Sequence, residues 1–205
     1  MSRKILYTVL ALPLFVILLA GQSSGQGMIA DKIYLIPICK VDEAILEGLI
    51  SALAGRFGMP CEIERPLTKP QYAYNARRRQ YHSSPILDEI SKSVPADASR
   101  VLGVTELDLY VPELNFIFGQ AQMPGRTAVI SLARLSQEFW GLPEDRKLLM
   151  SRAIKEAVHE LGHTFGLEHC PDPGCVMHFS NSLADTDKKG SNFCPRCTKL
   201  LEQNR

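Results

Sequence analysis

Three histidines in the last quarter of the chain have the spacing of a metal site. They are His159, His163 and His169, within the stretch HELGHTFGLEH. His159 and His163 are four residues apart, so on an α-helix of about 3.6 residues per turn they project from one face, one turn apart. Two imidazoles can then bind one ion. Catalytic zinc usually has three protein ligands and a water, so a third ligand is required.

A glycine before the third histidine lets the chain supply that ligand. Gly166 tolerates a left-handed backbone conformation, so the chain can turn back and His169 can reach the same ion. Glu160 follows His159 directly and points about 100° around the helix, beside the ion. Its carboxylate can take a proton from a metal-activated water, which predicts peptide or amide hydrolysis without a covalent intermediate. Two exposed helix histidines and a surface glutamate are a poor alternative, because they leave Gly166 and His169 unexplained.

Two pairs of cysteines follow the histidines and predict a second metal site. The four cysteines are Cys170, Cys175, Cys194 and Cys197, and the second pair has the form CPRC. Two close pairs separated by a loop suit a tetrahedral zinc site with four thiolates. Two disulfides are the alternative, which gains weight if the chain is exported. Cys39 and Cys61 have no partner spacing and are predicted to be small buried hydrophobic residues.

Other residues near the motif have weaker signals. Met177 could lie beneath the catalytic site as an apolar floor, with an ordinary core methionine as the alternative. For His178 we favour packing, or support of a ligand, over metal ligation. His82 is predicted to be an ordinary loop histidine.

The predicted site needs strands and helices to position it, and the chain alternates between the two. KIYLIPI (32–38) predicts a buried strand, and an apolar stripe at helical spacing predicts a helix from Asp42 to Gly58. CEIERPL (61–67) predicts a second strand. The polar, proline-containing stretch 68–83 predicts a loop.

The second half of the chain continues the alternation. Ser84 and Pro85 predict the start of a short helix, and residues 100–132 contain three more β-rich runs separated by turns. A longer apolar stripe predicts one helix from Pro143 to Gly166, which contains His159 and His163. The predicted architecture is a mixed sheet with helices packed on it, followed by a C-terminal part with little regular structure.

Length and charge limit the possible functions. The 205 residues suit one catalytic domain, and 23 basic against 22 acidic side chains give no general attraction to nucleic acid or anionic membrane. The only basic run, residues 77–79, is predicted to be a solvated loop, with a phosphate or nucleic-acid contact as the alternative.

Residues 1–27 have two interpretations. Arg3 and Lys4 precede the apolar run 5–20 and then a small, polar stretch, which is the order of a secretory signal. The run is short for a membrane span, which needs about 20 residues. Met28 stands just before the first predicted strand, so the start could instead be Met28, with residues 1–27 an over-extended reading of the gene.

The extended motif HExxHxxGxxH is that of the metzincins, and the chain resembles the archaemetzincin family in particular. The resemblance lies in the cysteine after the last histidine and in the CxM and CxxC that follow it. Further stretches that resemble the family are KIYLIPI, RRRQYHSSPIL, NFIFG and CVMHFSNSLADTDKKGSNFCPRC. The resemblance therefore covers about residues 32 to 200.

The resemblance implies a compact metzincin-type zincin domain over residues 28–205. This is an α+β fold in three layers, with a mixed, mostly parallel twisted sheet, an active-site helix and a short irregular C-terminal part with a Met-turn. It also implies two zinc ions per chain and a set of site residues. These are the catalytic zinc ligands His159, His163 and His169, the general base Glu160, the Met-turn residue Met177, and the structural zinc ligands Cys170, Cys175, Cys194 and Cys197.

The resemblance further implies a zinc metallopeptidase acting on peptide or protein substrates, which would lie along the strand containing residues 115–122. We expect a monomer that binds no nucleic acid. A start at Met28 and a cytoplasmic protein are favoured, and export or membrane anchoring through residues 1–27, with the run 5–20 retained, is the alternative. The competing function is a zinc-stabilised peptide-binding or interaction protein with little or no proteolysis. Retention of Glu160 favours the enzyme, because a purely structural three-histidine site needs no carboxylate there.

Overall fold

A computed structural model of the protein describes residues 31–205. The strands of this part of the chain are β1 (Lys32–Ile38), β2 (Cys61–Ile63), β3 (Tyr74–Asn75), β4 (Gln80–His82), β5 (Ala98–Thr105), β6 (Leu109–Tyr110), β7 (Gly119–Ala121) and β8 (Thr127–Ser131). Its helices are α1 (Glu43–Phe57), α2 (Ser83–Lys92), α3 (Arg146–Thr164), α4 (Leu183–Lys188) and α5 (Pro195–Gln203).

Five strands form the central sheet, in the order β2-β1-β5-β8-β7. The first four are parallel, and β7 pairs antiparallel with β8 at one edge. The central strands are buried on both faces, which explains the nearly continuous apolar run of β1. Strand β7 comes just before β8 in the chain, and a short turn joins the two, because antiparallel neighbours need no crossover helix.

Helices cover both faces of this sheet. Helices α1 and α3 pack together on one face, where their apolar side chains share one core with the C-terminal part of the chain. Helix α2 and the small sheet β3-β4-β6 enclose a second core on the other face. The predicted three-layer fold with a mixed, mostly parallel sheet is therefore confirmed.

An aspartate caps the start of each of the two long helices, α1 and α3. Asp42 accepts a hydrogen bond from Ala44 N at the start of α1, and Gly58 ends this helix with φ 60°. At α3 the cap is Asp145, whose side chain accepts from Leu148 N. Helix α3 therefore begins three residues later than the predicted start at Pro143.

Several predicted elements were wrong in detail. The stretch 68–83 is not a loop, because it contains β3 and β4, and the basic run 77–79 is the turn between them. The predicted strand 61–67 ends at Ile63, and only Leu67 makes a further bridge, to Ile38. The C-terminal part contains two helices, α4 and α5, rather than little regular structure.

The predicted start of α2, with Ser84 as the cap and Pro85 as the first helical residue, was also wrong, by two residues. The helix begins at Ser83, and His82 is the capping position, without a side-chain hydrogen bond. The side chain of Ser84 instead bonds to the amide of Gln120 on β7. This contact joins α2 to the edge strand of the central sheet.

Within residues 31–205, no helix combines the length and the apolar character that a membrane crossing requires. The apolar run 5–20, on which the export and anchoring predictions depend, lies outside the described residues.

Candidate metal centres

Helix α3 places the first two histidines as the spacing predicted. The rings of His159 and His163 have centroids 4.6 Å apart, and their Nε2 atoms lie 3.1 Å apart. His159 is buried, whereas His163 is only partly covered. The two imidazoles therefore aim the same nitrogen at one point above the helix.

A left-handed glycine brings in the third histidine. Helix α3 ends at Thr164, and Gly166 has φ 79°, a conformation that a side chain would resist. After this turn the ring of His169 lies 5.3 Å from that of His159 and 4.9 Å from that of His163. One ligand nitrogen from each ring falls within 4.8 Å of the other two, so the three residues could hold one metal ion.

Backbone carbonyls orient the two histidines of α3. His159 Nδ1 lies 2.9 Å from Val176 O, and His163 Nδ1 lies 2.7 Å from Leu167 O. Since a carbonyl can only accept, each Nδ1 is the protonated nitrogen and each Nε2 has a free lone pair. Support of a ligand histidine through its other nitrogen is common in zinc sites.

The facing Nε2 atoms fit a metal ion. Without a cation, two lone pairs 3.1 Å apart would repel each other. Tetrahedral zinc with Zn–N bonds of about 2.0–2.1 Å would place its nitrogen ligands about 3.3 Å apart, close to this separation. The donor set and its geometry therefore suit zinc.

The charge states of the histidines suit the same interpretation. Burial lowers the pKa of His159 well below its ordinary value of 6.5, and the nearby Lys189 ammonium acts in the same direction. Burial also lowers the pKa of His163 and of His169. All three are therefore neutral at pH 7, which is the form that binds a metal.

Glu160 lies beside the three histidines without belonging to their cluster. Its pKa is raised to about 8, mainly by burial and also by the nearby Glu156, while Lys189 opposes both effects. A bound dication would act in the same direction as Lys189, since positive charge favours the carboxylate. The carboxyl is thus poised to gain or lose a proton near neutral pH.

Gly119 on β7 makes room for the side chain of Glu160. A Cβ at Gly119 would lie 2.5 Å from Glu160 Cγ and 2.8 Å from both Cδ and Oε1. Distances this short do not occur between real carbon atoms, so any larger residue would displace the carboxylate. The edge strand and the active-site helix therefore meet at a position that requires glycine.

The four C-terminal cysteines also come together. Their sulfur atoms lie within 4.8 Å of one another, and Cys170 Sγ is 3.8 Å from Cys194 Sγ. All six cysteines of the chain lie in the described part and all are free, which excludes the alternative of two disulfides in this structure. Tetrahedral zinc with Zn–S bonds of about 2.3 Å places its sulfur ligands about 3.8 Å apart. The thiols therefore have the spacing of a zinc site.

Helix α5 arranges the second pair of these cysteines. Cys194 is its N-cap residue and Cys197 lies in its first turn. A hydrogen bond from the backbone of Cys197 lowers the pKa of the Cys194 thiol, whereas burial raises the pKa of Cys175 and of Cys197. A helix N-terminus favours negative charge, so it suits thiolates. The other two cysteines, Cys39 and Cys61, are only half-buried, so the prediction of buried residues was too strong.

The segment between the two cysteine pairs passes close to α3. Met177 is fully buried, and its Sδ lies 2.5 Å from where a Cβ at Gly162 would be. Cys170 N donates to Met177 O over 2.9 Å, which joins the turn to the residue after His169. His178 belongs to neither cluster, and its Nδ1 lies 3.0 Å from Cys170 O.

One cleft of about 430 Å³ contains the histidines and Glu160. Its upper rim is the segment Leu114–Phe118, which leads into β7, and Phe179 packs edge-on against His169 with centroids 4.9 Å apart. His82 lies outside this cleft; it ends β4 and stacks on Tyr110, so it is not the loop histidine that was predicted.

The sequence did not reveal the roles of several residues that line or support the cleft. Arg78 holds the rim, because its Nη2 donates to Leu114 O over 2.7 Å and to Asn115 O over 2.9 Å. Glu156 lines the cleft and pairs with the buried Lys189, 33 residues away. Only Gly119 had a local sign, since a glycine directly after an apolar run often marks a close approach.

Comparisons with known proteins identify the family. The model of peptidase family M54 matches residues 41–203. The archaemetzincin of Methanocaldococcus jannaschii is 47% identical over 171 residues, which are 83% of this chain and 93% of that protein. The archaemetzincin of Pyrococcus furiosus is 48% identical over 181 residues, which are 84% of this chain and 93% of the relative.

Crystal structures agree with these sequences. The archaemetzincin of Methanopyrus kandleri superposes with a TM-score of 0.76 at 41% identity, covering 87% of this chain and 97% of that one. A zinc-dependent peptidase from Methanocorpusculum labreanum has a TM-score of 0.76 at 30% identity, covering 82% and 99%. The chain therefore belongs to peptidase family M54, the archaemetzincins, and is a metallopeptidase.

Proposed function

We propose that the protein hydrolyses peptide bonds with a catalytic zinc ion held by His159, His163 and His169, and with Glu160 as the general base. The observation that supports this best is the pair of unprotonated Nε2 atoms of His159 and His163, 3.1 Å apart and both aimed at one point. Zinc is also the metal on which the related peptidase from Methanocorpusculum labreanum depends.

The reaction divides between the ion and the protein. When bound, zinc supplies Lewis acidity, which makes a water molecule more acidic and polarises the scissile carbonyl. Glu160 takes a proton from the attacking water on its carboxylate and then passes it to the nitrogen of the leaving amine. Burial raises the pKa of Glu160 to about 8 and a bound dication would lower it, so the two effects together favour a carboxyl that can both accept and release a proton near neutral pH.

The peptide substrate would bind along the rim of the cleft. Strand β7 is the edge of the central sheet, so one side of its backbone is free to pair with an extended peptide. The strand and the preceding segment cover residues 114–121, nearly the stretch 115–122 expected from the sequence. The close approach of Gly119 to Glu160 supports a peptide that would lie across the three histidines.

A second, structural zinc on Cys170, Cys175, Cys194 and Cys197 completes the proposal. It would fix the C-terminal segment onto the body of a single domain covering residues 28–205. Because Cys170 follows His169 in the chain, this ion would also restrain the third catalytic ligand. Met177, the residue of the turn beneath α3, would provide the apolar floor of the site.

The test of the catalytic proposal is Glu160→Ala against wild type on a peptide library. We expect both proteins to bind zinc and only the wild type to cleave. Glu168→Gln is a matched control, because Glu168 is an exposed carboxylate next to His169. If wild type and Glu160→Ala both bind zinc and neither cleaves a peptide that the other does not, the protein is a zinc-stabilised binding protein instead.

A further inference from the structure

The cleft has both apolar and polar lining residues. Leu114, Phe116 and Phe179 are among the apolar ones. The polar ones include Glu156, one turn of α3 before Glu160, and Ser180 and Asn181 from the segment after Met177. Peptidases select substrates by such differences, because a polar pocket rejects a side chain that leaves its groups unpaired.

Glu156 is buried together with a lysine. Only 3% of its surface is exposed, and Lys189, 2% exposed, places Nζ 3.0 Å from Glu156 Oε1. Thr186 donates its hydroxyl to the same oxygen over 3.2 Å. Both of these contacts go to Oε1, which leaves Oε2 as the acceptor for a group in the cleft.

Ser180 supplies the second polar group. Its hydroxyl oxygen is buried and has no hydrogen-bond partner among the described residues. A buried hydroxyl without a partner is unfavourable, so this hydroxyl would gain from a ligand that provides one. Ser180 and Glu156 line the same cleft from opposite elements, the C-terminal segment and α3.

The charges around these groups limit what can bind. Lys189 already balances Glu156, so a cationic side chain would meet the lysine ammonium as well as the catalytic ion. An anionic side chain would meet the carboxylates of Glu156 and Glu160 instead. A neutral side chain that both donates and accepts hydrogen bonds satisfies the lining without either repulsion.

We propose that Glu156 and Ser180 form a specificity pocket for a neutral, hydrogen-bonding side chain of the peptide substrate, and that a carboxamide fits best. Its NH₂ group donates to Glu156 Oε2, and its carbonyl oxygen accepts from the Ser180 hydroxyl. This inference rests on the proposed peptidase function, because it assumes that a peptide lies across the same cleft.

The experiment measures binding, so it does not depend on turnover. Two peptide hydroxamates that differ in one side chain, asparagine or leucine, present the same zinc-binding group and nearly the same shape. Calorimetry with the zinc-loaded protein is expected to give at least tenfold tighter binding of the asparagine compound. Equal binding of the two compounds, or tighter binding of the leucine compound, would overturn the inference.

Variants tie the preference to the pocket. Ser180→Ala removes a hydroxyl without a protein partner, so the fold should persist while the asparagine preference drops several-fold. Ser51→Ala, on the exposed face of α1, is the control and should keep the full preference. An unchanged preference in Ser180→Ala would also overturn the inference.

The two proposals fail in distinguishable ways. If the zinc-loaded wild type binds neither hydroxamate, the proposed catalytic site is wrong and the pocket with it. If both compounds bind equally, the catalytic site stands and only the pocket is wrong. Glu156→Gln is a less suitable variant, because it leaves Lys189 buried beside a neutral partner and threatens the fold.

Discussion

Gly119 is the residue on which the geometry of the general base depends most directly. The contact is between backbone and side chain: the strand that would receive the substrate also forms the wall behind the Glu160 carboxylate. In the proposed mechanism, the absence of a side chain at Gly119 would set the distance between the peptide and Glu160. Catalysis is sensitive to this distance, because a misplacement of about 1 Å can reduce a rate by about 100-fold.

We therefore expect Gly119→Ala to lower turnover by about 100-fold while zinc binding persists. The added methyl group would displace Glu160 but would not touch the histidine nitrogens. Steady-state kinetics together with metal analysis of the purified variant would measure both effects.

Gly55→Ala is the matched control for this substitution. A Cβ at Gly55 has no atom within 4 Å, and the residue lies inside α1. It should keep full activity and gain about 0.5–1 kcal/mol in the free energy of unfolding, because alanine is the better helix former. Wild-type turnover in Gly119→Ala would show that the carboxylate can move aside without loss.

At the scale of elements, the rim of the cleft depends on the small sheet that the sequence did not reveal. Arg78, in the turn between β3 and β4, donates to two carbonyls of the rim and lies 4.2 Å from the centre of the Tyr110 ring. Gln80 adds a third bond, to Asn115 O over 2.9 Å. The small sheet therefore acts as a clamp on the segment that precedes β7.

Arg78→Ala should raise KM roughly tenfold with kcat little changed. Without Arg78 the rim is held less firmly, which should weaken peptide binding by about 1.4 kcal/mol but leave the position of Glu160 unchanged. Arg77→Ala removes the exposed neighbouring arginine and should leave both constants unchanged. A fall in kcat without a change in KM would place Arg78 in the chemical step instead.

A second contact between elements holds α4 against α3. Arg152 is 5% exposed and makes two 2.7 Å bonds to the carboxylate of Asp187. This hydrogen bonding lowers the pKa of Asp187 below its ordinary value of 3.8. The carboxylate therefore stabilises the fold fully above about pH 3.8, and the contribution is lost as the pH falls through the lower folded-state pKa.

Asp187→Asn should lower the free energy of unfolding by about 1–3 kcal/mol at pH 7. The lower part of this range is the better expectation, because Asp187 is 38% exposed and solvent screens the pair. The difference from wild type should shrink below pH 3.8, as urea unfolding at both pH values would show. Asp88→Asn, on the exposed side of α2, should have no such effect, and a difference that persisted in acid would contradict the assigned cause.

Local signals explain which elements could be predicted. Strand β1 and helix α1 are set by a dense apolar pattern and by caps within a few residues of their ends. The strand pairs β3-β4 and β4-β6 are each only two residues long. The side-chain bonds that join this small sheet to the rim of the cleft connect residues up to 37 positions apart, as for Arg78 and Asn115. Such short strands leave no periodicity in a polar sequence.

The site divides in the same way. The sequence could identify four residues of the site, because one helix and one turn position all of them and their spacing in the chain therefore determines how they are arranged in space. They are His159, Glu160, His163 and His169. The Glu156–Lys189 pair could not be identified, and the sequence marked Gly119 only as a site of close approach without naming its partner, because each depends on a contact between distant segments. Tertiary packing, which local patterns do not encode, decides those positions.

At the scale of the whole molecule, the two metal centres are expected to differ in what they stabilise. The histidines lie on α3 and on the turn after it, whereas the four cysteines would cross-link the C-terminal segment, which packs on the core of α1 and α3 through residues such as Leu201. Metal analysis should give about two zinc ions per chain. His163→Ala should lose one without a large change in Tm, and Cys197→Ser should lose the other and lower Tm strongly.

One zinc per wild-type chain would contradict the two-site proposal. Cys61→Ser is the control for the cysteine substitution, because Cys61 lies on β2, far along the chain from the cluster. It should retain both ions. A wild-type Tm in Cys197→Ser would show that the C-terminal helix holds its place without metal.

The two edges of the central sheet have a consequence for crowded solutions. Strand β2 ends one side with three residues, and its Glu62 pairs with Lys32, so charge discourages a second chain from adding there. Strand β7 ends the other side with glycine, glutamine and alanine, and has no charge to repel another strand. Self-association through β7 would cover the cleft of each copy, so activity per molecule should fall at high protein concentration and return on dilution. The strand proposed to bind the substrate would then also be the site of self-association.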